Sequence, residues 1–132
     1  MKQNEDYNNN NGEIDDDGFE SRNLGINIDT IGDDFLVASM PVDKRTHQPM
    51  GILHGGASIA LAETVGSIAA NLAVDNQHFC VGLEVNGNHL KQIAKGKVFA
   101  KAAPLHLGRS TQIWDIKIRD IEDKLICVSR LT

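Results

Sequence analysis

The sequence predicts an α+β domain in which an antiparallel sheet of five to six strands wraps around one long central helix, at about residues 54–73. Residues 57–73, ASIALAETVGSIAANLA, carry Ala, Leu and Ile at helical spacing with one charge in seventeen positions, the pattern of a helix covered on most sides. About six short stretches of alternating apolar and polar residues flank that run, and Gly, Pro or charged clusters separate them. No internal repeat interrupts this order.

Taken along the chain, residues 1–20 join an Asn run to an acidic run with almost no apolar content, which predicts a disordered or loosely attached tail before a single domain over 21–132. Extended segments at 23–30 and 34–41 are divided by Gly32-Asp33, good hairpin-turn chemistry. A loop bearing Pro and Gly, 41–53, leads into the helix. Four alternating segments follow near 78–90, 95–105, 110–120 and 124–131. In the first of them Phe79, Val81, Leu83 and Val85 share one face, and period-two counting sets His89 on it, toward the helix or its cleft.

Composition removes several classes of function. A chain of 132 residues with 41% hydrophobic content fills one core. The net charge of −5 is concentrated in the tail, where seven acidic groups face Lys2 alone; residues 21–132 hold twelve basic against eleven acidic groups, no signature of a nucleic-acid partner. Between Glu84 and Asp115 there is no acidic residue, yet Lys91, Lys95, Lys97, Lys101 and Arg109 fall there, which predicts either a positive surface for a polyphosphate or a plain solvated strand face. Cys80 and Cys127 each lie in an apolar alternating stretch, as buried thiols do, and no secretion signal or membrane span is evident. A cytoplasmic protein is the expectation.

Glu63 is the residue a purely structural account handles worst. A lone carboxylate in the middle of an apolar helix costs several kcal/mol unless it is paired, protonated or facing a cleft. Ser67 and Asn71, at i+4 and i+8, continue it as a polar stripe, which predicts a cavity wall; capping or ion pairing is the competing account. His54-Gly55-Gly56 precedes the helix, where two glycines let a ligand approach unpaired first-turn amides at the positive end of the dipole. That arrangement suits a thioester oxygen gaining negative charge, although glycines before helices are common and a lone His is more often a hydrogen-bonded structural residue. Gly55 and Glu63 are eight residues apart, roughly 12 Å at 1.5 Å per residue. They cannot serve the same carbonyl within one helix, so joint catalysis requires two chains with antiparallel helices across a two-fold axis.

Gln48, in the loop before the helix, is a candidate amide donor or an ordinary loop residue. His106-Leu107-Gly108-Arg109 lies between two strands, where a turn can offer Arg109 and backbone amides to phosphate or merely connect a hairpin. The His and Cys residues lack metal-ligand spacing, and there is no GxSxG elbow, dinucleotide glycine motif or P-loop.

Residues 40–73, MPVDKRTHQPMGILHGGASIALAETVGSIAANLA, and 104–116, PLHLGRSTQIWDI, resemble the hotdog-fold thioesterases of the PaaI type, in the subgroup that holds the 1,4-dihydroxy-2-naphthoyl-CoA and enterobactin-proofreading thioesterases. The likeness spans about residues 24–131. It implies that Glu63 is nucleophile or general base, that Gln48, His54 and the Gly55 amide bind and polarise the thioester carbonyl, and that Ser67 positions water or the acyl group. It further implies that Gly82, the stretch His89, Leu90, Lys91 and Gln92, and the stretch His106, Leu107, Gly108, Arg109, Ser110 and Thr111 line the acyl and CoA subsites. The expected activity is hydrolysis of an acyl-CoA thioester, of the 1,4-dihydroxy-2-naphthoyl or hydroxybenzoyl type and so tied to menaquinone synthesis. CoA then enters as part of the substrate and no cofactor is required. A homodimer with composite sites, paired again into a homotetramer, is the implied assembly. Two rival readings keep the same fold: a dehydratase or hydratase, which leaves the thioester intact, and a non-catalytic acyl-CoA-binding module, which expects an apolar or amide residue at position 63. Relatives begin with a short amphipathic helix where this chain is Asn- and Asp-rich, and their last strand runs a few residues beyond Thr132.

Overall fold

A computed structural model describes residues 23–132; the tail predicted over 1–20 lies outside the described residues. Six strands, β1 (Asn27–Ile31), β2 (Leu36–Val42), β3 (Val85–His89), β4 (Gly96–Leu107), β5 (Gln112–Asp120) and β6 (Leu125–Leu131), surround one helix, α1 (Gly55–Leu72). All pairings are antiparallel, and the strand order is β1-β2-β4-β5-β6-β3. Helix α1 therefore carries the chain from one edge of the sheet to the other, and β3 closes the far edge. The expected sheet wrapped on one helix is the architecture found.

The core sits between α1 and one sheet face. Leu61, Ala62, Val65, Ala69 and Leu72 point from the helix, and Leu36, Ala38, Met40, Val98, Ala100, Ala102, Trp114, Ile116 and Ile118 meet them from the sheet. Three alanines at the centre of β2 and β4 make room for the helix. Gly66 is a point of close approach, since a methyl group there would stand 2.6 Å from Leu131 Cδ2. Each fully buried Leu or Ile contributes about 1.5–3 kcal/mol, so this one layer holds the domain together.

Strand boundaries follow the alternation closely except ahead of β3. The segment 78–84 is extended but is no strand, and Phe79, Val81 and Leu83 are 81%, 70% and 72% exposed instead of facing the helix. Leu83 and Glu84 exchange hydrogen bonds with Thr132, and among the described residues the segment upstream of Leu83 is paired with no strand. His89 does turn toward α1, as counted. Cys127 is buried, and burial pushes its thiol pKa up, but Cys80 is only half-buried. Among the described residues, no helix is long and apolar enough to cross a membrane.

Candidate active site

The loop before α1 is rigid because its backbone is stitched in both directions. Thr46, fully buried, donates its hydroxyl to Pro41 O at 2.9 Å and accepts from Asp43 N, while Arg45 grips the Asp43 carboxylate at 2.7 Å. Those Arg45 hydrogen bonds, side chain first and backbone second, hold the Asp43 carboxyl at a pKa of about 2. Leu53 N donates to Ile93 O at 2.8 Å and His47 Nε2 meets Ala94 O at 2.8 Å, tying the loop to the return from β3.

At the helix start, His54 is the N-cap, with Nδ1 accepting from Gly56 N at 2.7 Å. An accepting Nδ1 leaves the ring proton on Nε2, so this face of the imidazole is a donor. His54 N donates to Thr46 O, and the amides of Ala57 and Ser58 donate to His54 O. Among the described residues, the Gly55 N–H alone in this turn has no protein partner. A cleft of about 420 Å³ opens beside it, lined by Gln48, Gly55, Ser58, His89, Lys91 and Gln92 among others, with Leu90 on its wall. The His89 ring stands so close that a methyl group on Gly55 would lie 2.9 Å from Nε2. Gln48 Oε1 accepts from Met50 N, which leaves the amide NH₂ of Gln48 as a donor at the cleft.

The helix is covered on most sides, as expected, and its exposed residues are Gly56 and Glu63. Within one chain Glu63 stands on the outward face of α1, with Gly56, Ala60 and Ser67, and does not line a cavity. Asn71 departs from the predicted stripe, because its carboxamide turns away to bond Cys80 and Ser67 O.

Beyond Glu63 lies a second pocket, of about 690 Å³, whose lining includes Ser67, Ala70, Cys80, Gly82, Arg109 and Trp114. Gly108, Ser110 and Thr111 join it from the β4–β5 turn, where Gly108 N donates to Thr111 O at 2.8 Å. The predicted site residues thus separate into two groups: Gln48, Gly55, His89, Leu90, Lys91 and Gln92 around one cleft, Ser67, Gly82, Gly108, Arg109, Ser110 and Thr111 around the other. Glu63, His54, His106 and Leu107 line neither. Cys80, Gln112 and Trp114 were legible only as core residues; nothing in their spacing marks a pocket floor.

The acid-free stretch is not one positive surface. Lys91 pairs with Asp120 at 3.5 Å and Lys101 lies over the Phe35 ring at 4.8 Å. Lys95 and Lys97 sit at the opposite end of β4 from Arg109, roughly 35 Å away along a strand rising about 3.4 Å per residue. Among the described residues Arg109 makes no ion pair, and no group of His, Cys, Asp and Glu side chains is placed to hold a metal.

Comparison with known proteins places this geometry. Residues 50–127 match the model of the thioesterase superfamily. The chain is 50% identical to the 1,4-dihydroxy-2-naphthoyl-CoA hydrolase of Escherichia coli, over 83% of this chain and 80% of that one. It is likewise 50% identical to the proofreading thioesterase EntH of Cronobacter turicensis, with the same coverage, 83% and 80%. The crystal structure of a thioesterase from Haemophilus influenzae superposes with a TM-score of 0.83 at 53% identity, covering 84% of this chain and 78% of that one. With six antiparallel strands on one helix and a match across most of its length, the chain belongs to the thioesterase superfamily and has the hotdog fold of a thioester hydrolase.

Proposed function

We propose that this protein hydrolyses an aromatic acyl-CoA thioester to the free acid and CoA, in sites that two chains build together. The observation that carries the reading is the unpaired Gly55 N–H, set beside the donor end of Gln48 in a cleft that Glu63 of the same helix does not reach. A backbone N–H and a side-chain amide that line the same cleft suit a carbonyl oxygen that becomes an oxyanion. Glu63 of the second chain supplies the carboxylate, either attacking the carbonyl carbon or taking a proton from the water that does. In either route the carbon–sulfur bond breaks, the CoA thiolate takes up a proton, and water supplies the new carboxyl oxygen. His54 holds the Gly56 amide and the helix start, and Ser67 positions water or acyl group from the Glu63 side.

Pairing of two chains is supported by the surface as well as by the spacing. The outward face of α1 is flat, and β3 is an edge strand continued by exposed Phe79, Val81 and Leu83. A two-fold axis that sets the α1 helices antiparallel brings the Gly55 cleft of one chain to the Glu63–Ser67 region of the other. The naphthoyl-CoA hydrolase among the relatives supports an aromatic acyl group, and with it a place in menaquinone synthesis. Arg109 and the β4–β5 turn then meet the CoA phosphates.

A hydrolysis screen over aromatic and aliphatic acyl-CoAs, read by free-thiol release, tests the proposal. Aromatic substrates should turn over best, and Glu63→Gln, which keeps shape and removes charge, should lower turnover about a hundredfold or more. Near-normal turnover in that variant removes Glu63 from the mechanism. Conversion of the acyl chain without thiol release assigns the cleft to a hydratase instead.

A further inference from the structure

We infer that Asn71 is a positioning residue that sets the width of the larger pocket, by clamping the connection between α1 and β3 to the last turn of the helix; the inference rests on the thioesterase reading above. Asn71 continues the Glu63–Ser67 stripe in sequence, yet its carboxamide is spent on backbone. Cys80 N donates to Asn71 Oδ1 at 2.8 Å, and Asn71 Nδ2 donates to Ser67 O at 2.8 Å and to Cys80 O at 3.4 Å. Donor and acceptor of one side chain thus meet acceptor and donor of one residue, as a neighbouring strand would. This matters because the connection has no strand beside it at that point.

The clamp has a second jaw on the sheet side. Trp114 Nε1 donates to Gln112 Oε1 at 2.8 Å, Gln112 Nε2 reaches Cys80 Sγ at 3.7 Å, and Cys80 Sγ meets Ala70 O at 3.6 Å. Cys80 is therefore the knot at which α1, β5 and the connection are joined, and Phe79, Cys80, Val81, Gly82 and Leu83 form one wall of the pocket opposite Ser67 and Arg109. Phe79 and Val81, on either side of the knot, are exposed within one chain, so the hold that this chain itself has on the wall there is the Cys80 knot. Asn71 lies eight residues beyond Glu63, roughly 12 Å along the helix, so it acts on how substrate is held and not on the reacting atoms.

Two measurements test this on the purified full-length protein: steady-state kinetics with the best acyl-CoA from the screen, and hydrogen–deuterium exchange of the amides from Cys80 to Leu83. Asn71→Ala should raise KM about three- to tenfold with kcat within about twofold, and exchange at those amides should quicken about tenfold or more. Asn71→Asp keeps the acceptor for Cys80 N and loses both donors, so it should fall between the two, and it carries the test if the Ala variant fails to fold. A loss concentrated in kcat, or exchange no faster than in the wild type, overturns the assignment. Should the wild type release no thiol from any acyl-CoA, the hydrolase reading fails by itself. The exchange measurement then decides the clamp alone: a rise confined to Cys80–Leu83 upholds it, and its absence removes it.

Discussion

The two ends of α1 are built for different work. Around its N-terminus everything is fixed by backbone hydrogen bonds: the 43–54 loop is stitched to 93–94, His54 caps the helix, and one amide, that of Gly55, is left over. Around its C-terminus the walls are held by side chains, with Asn71 and Gln112 gripping Cys80 and a short β4–β5 turn presenting Arg109. The first region is a rigid donor site, the second a wider pocket with an adjustable wall. Gly55 and Ser67 are twelve residues apart, roughly 18 Å along the helix. Under the proposed function, that separation gives the polarising of the carbonyl and the holding of the rest of the substrate to opposite helix ends, which a two-fold axis would reunite.

The sharpest way to break that comparison is to damage each end in a different chain. Glu63→Ala and a Gln48→Ala, Gly55→Ala double variant should each be inactive alone. Co-expressed in equal amounts and paired at random, they should recover about a quarter of wild-type sites, because each heterodimer holds one site with both defects and one with neither. Verified heterodimers that stay inactive while both parents fold and dimerise would return both groups to a single chain.

Arg109→Ala probes the other end and should act through binding. A rise in KM of about tenfold for acyl-CoA is expected, with a much smaller rise for an acyl-pantetheine thioester lacking the nucleotide. Equal damage to both substrates makes Arg109 part of the turn's structure. The smallest effect belongs to the loop behind the donor site. Asp43 is exposed and its carboxyl pKa is lowered to about 2 by Arg45, so its contribution is present above the ordinary carboxylate value near 3.8 and is lost as pH falls through 2. Asp43→Asn should cost less than about 1 kcal/mol at neutral pH, with wild type and variant converging in acid unfolding near pH 2. A gap that persists there would mean the loop depends on something other than the Arg45 pair.

Much of this was legible in the chain itself. Alternation with period two located five of the six strands to within a few residues, and the Ala-rich run located α1, because burial on a sheet face or helix stripe leaves a periodic trace. Gly55, Gln48 and Glu63 could be singled out because their chemistry is out of keeping with their surroundings. What the sequence concealed depends on which segments end up side by side. Phe79, Val81 and Leu83 alternate like a strand, yet within one chain all three are exposed and do not face the helix. The basic residues between Glu84 and Asp115 look like one patch until β4 sets Lys95 and Lys97 at one end and Arg109 at the other. Glu63 was expected to line a cavity, and within one chain it stands on the open face of α1. Periodicity records whether a residue is covered by its own element's packing, and it determined the fold and the chemical inventory of this protein. The turning of Asn71 onto Cys80 was decided only in three dimensions, because hydrogen-bond partners distant in sequence leave no periodic mark on either segment.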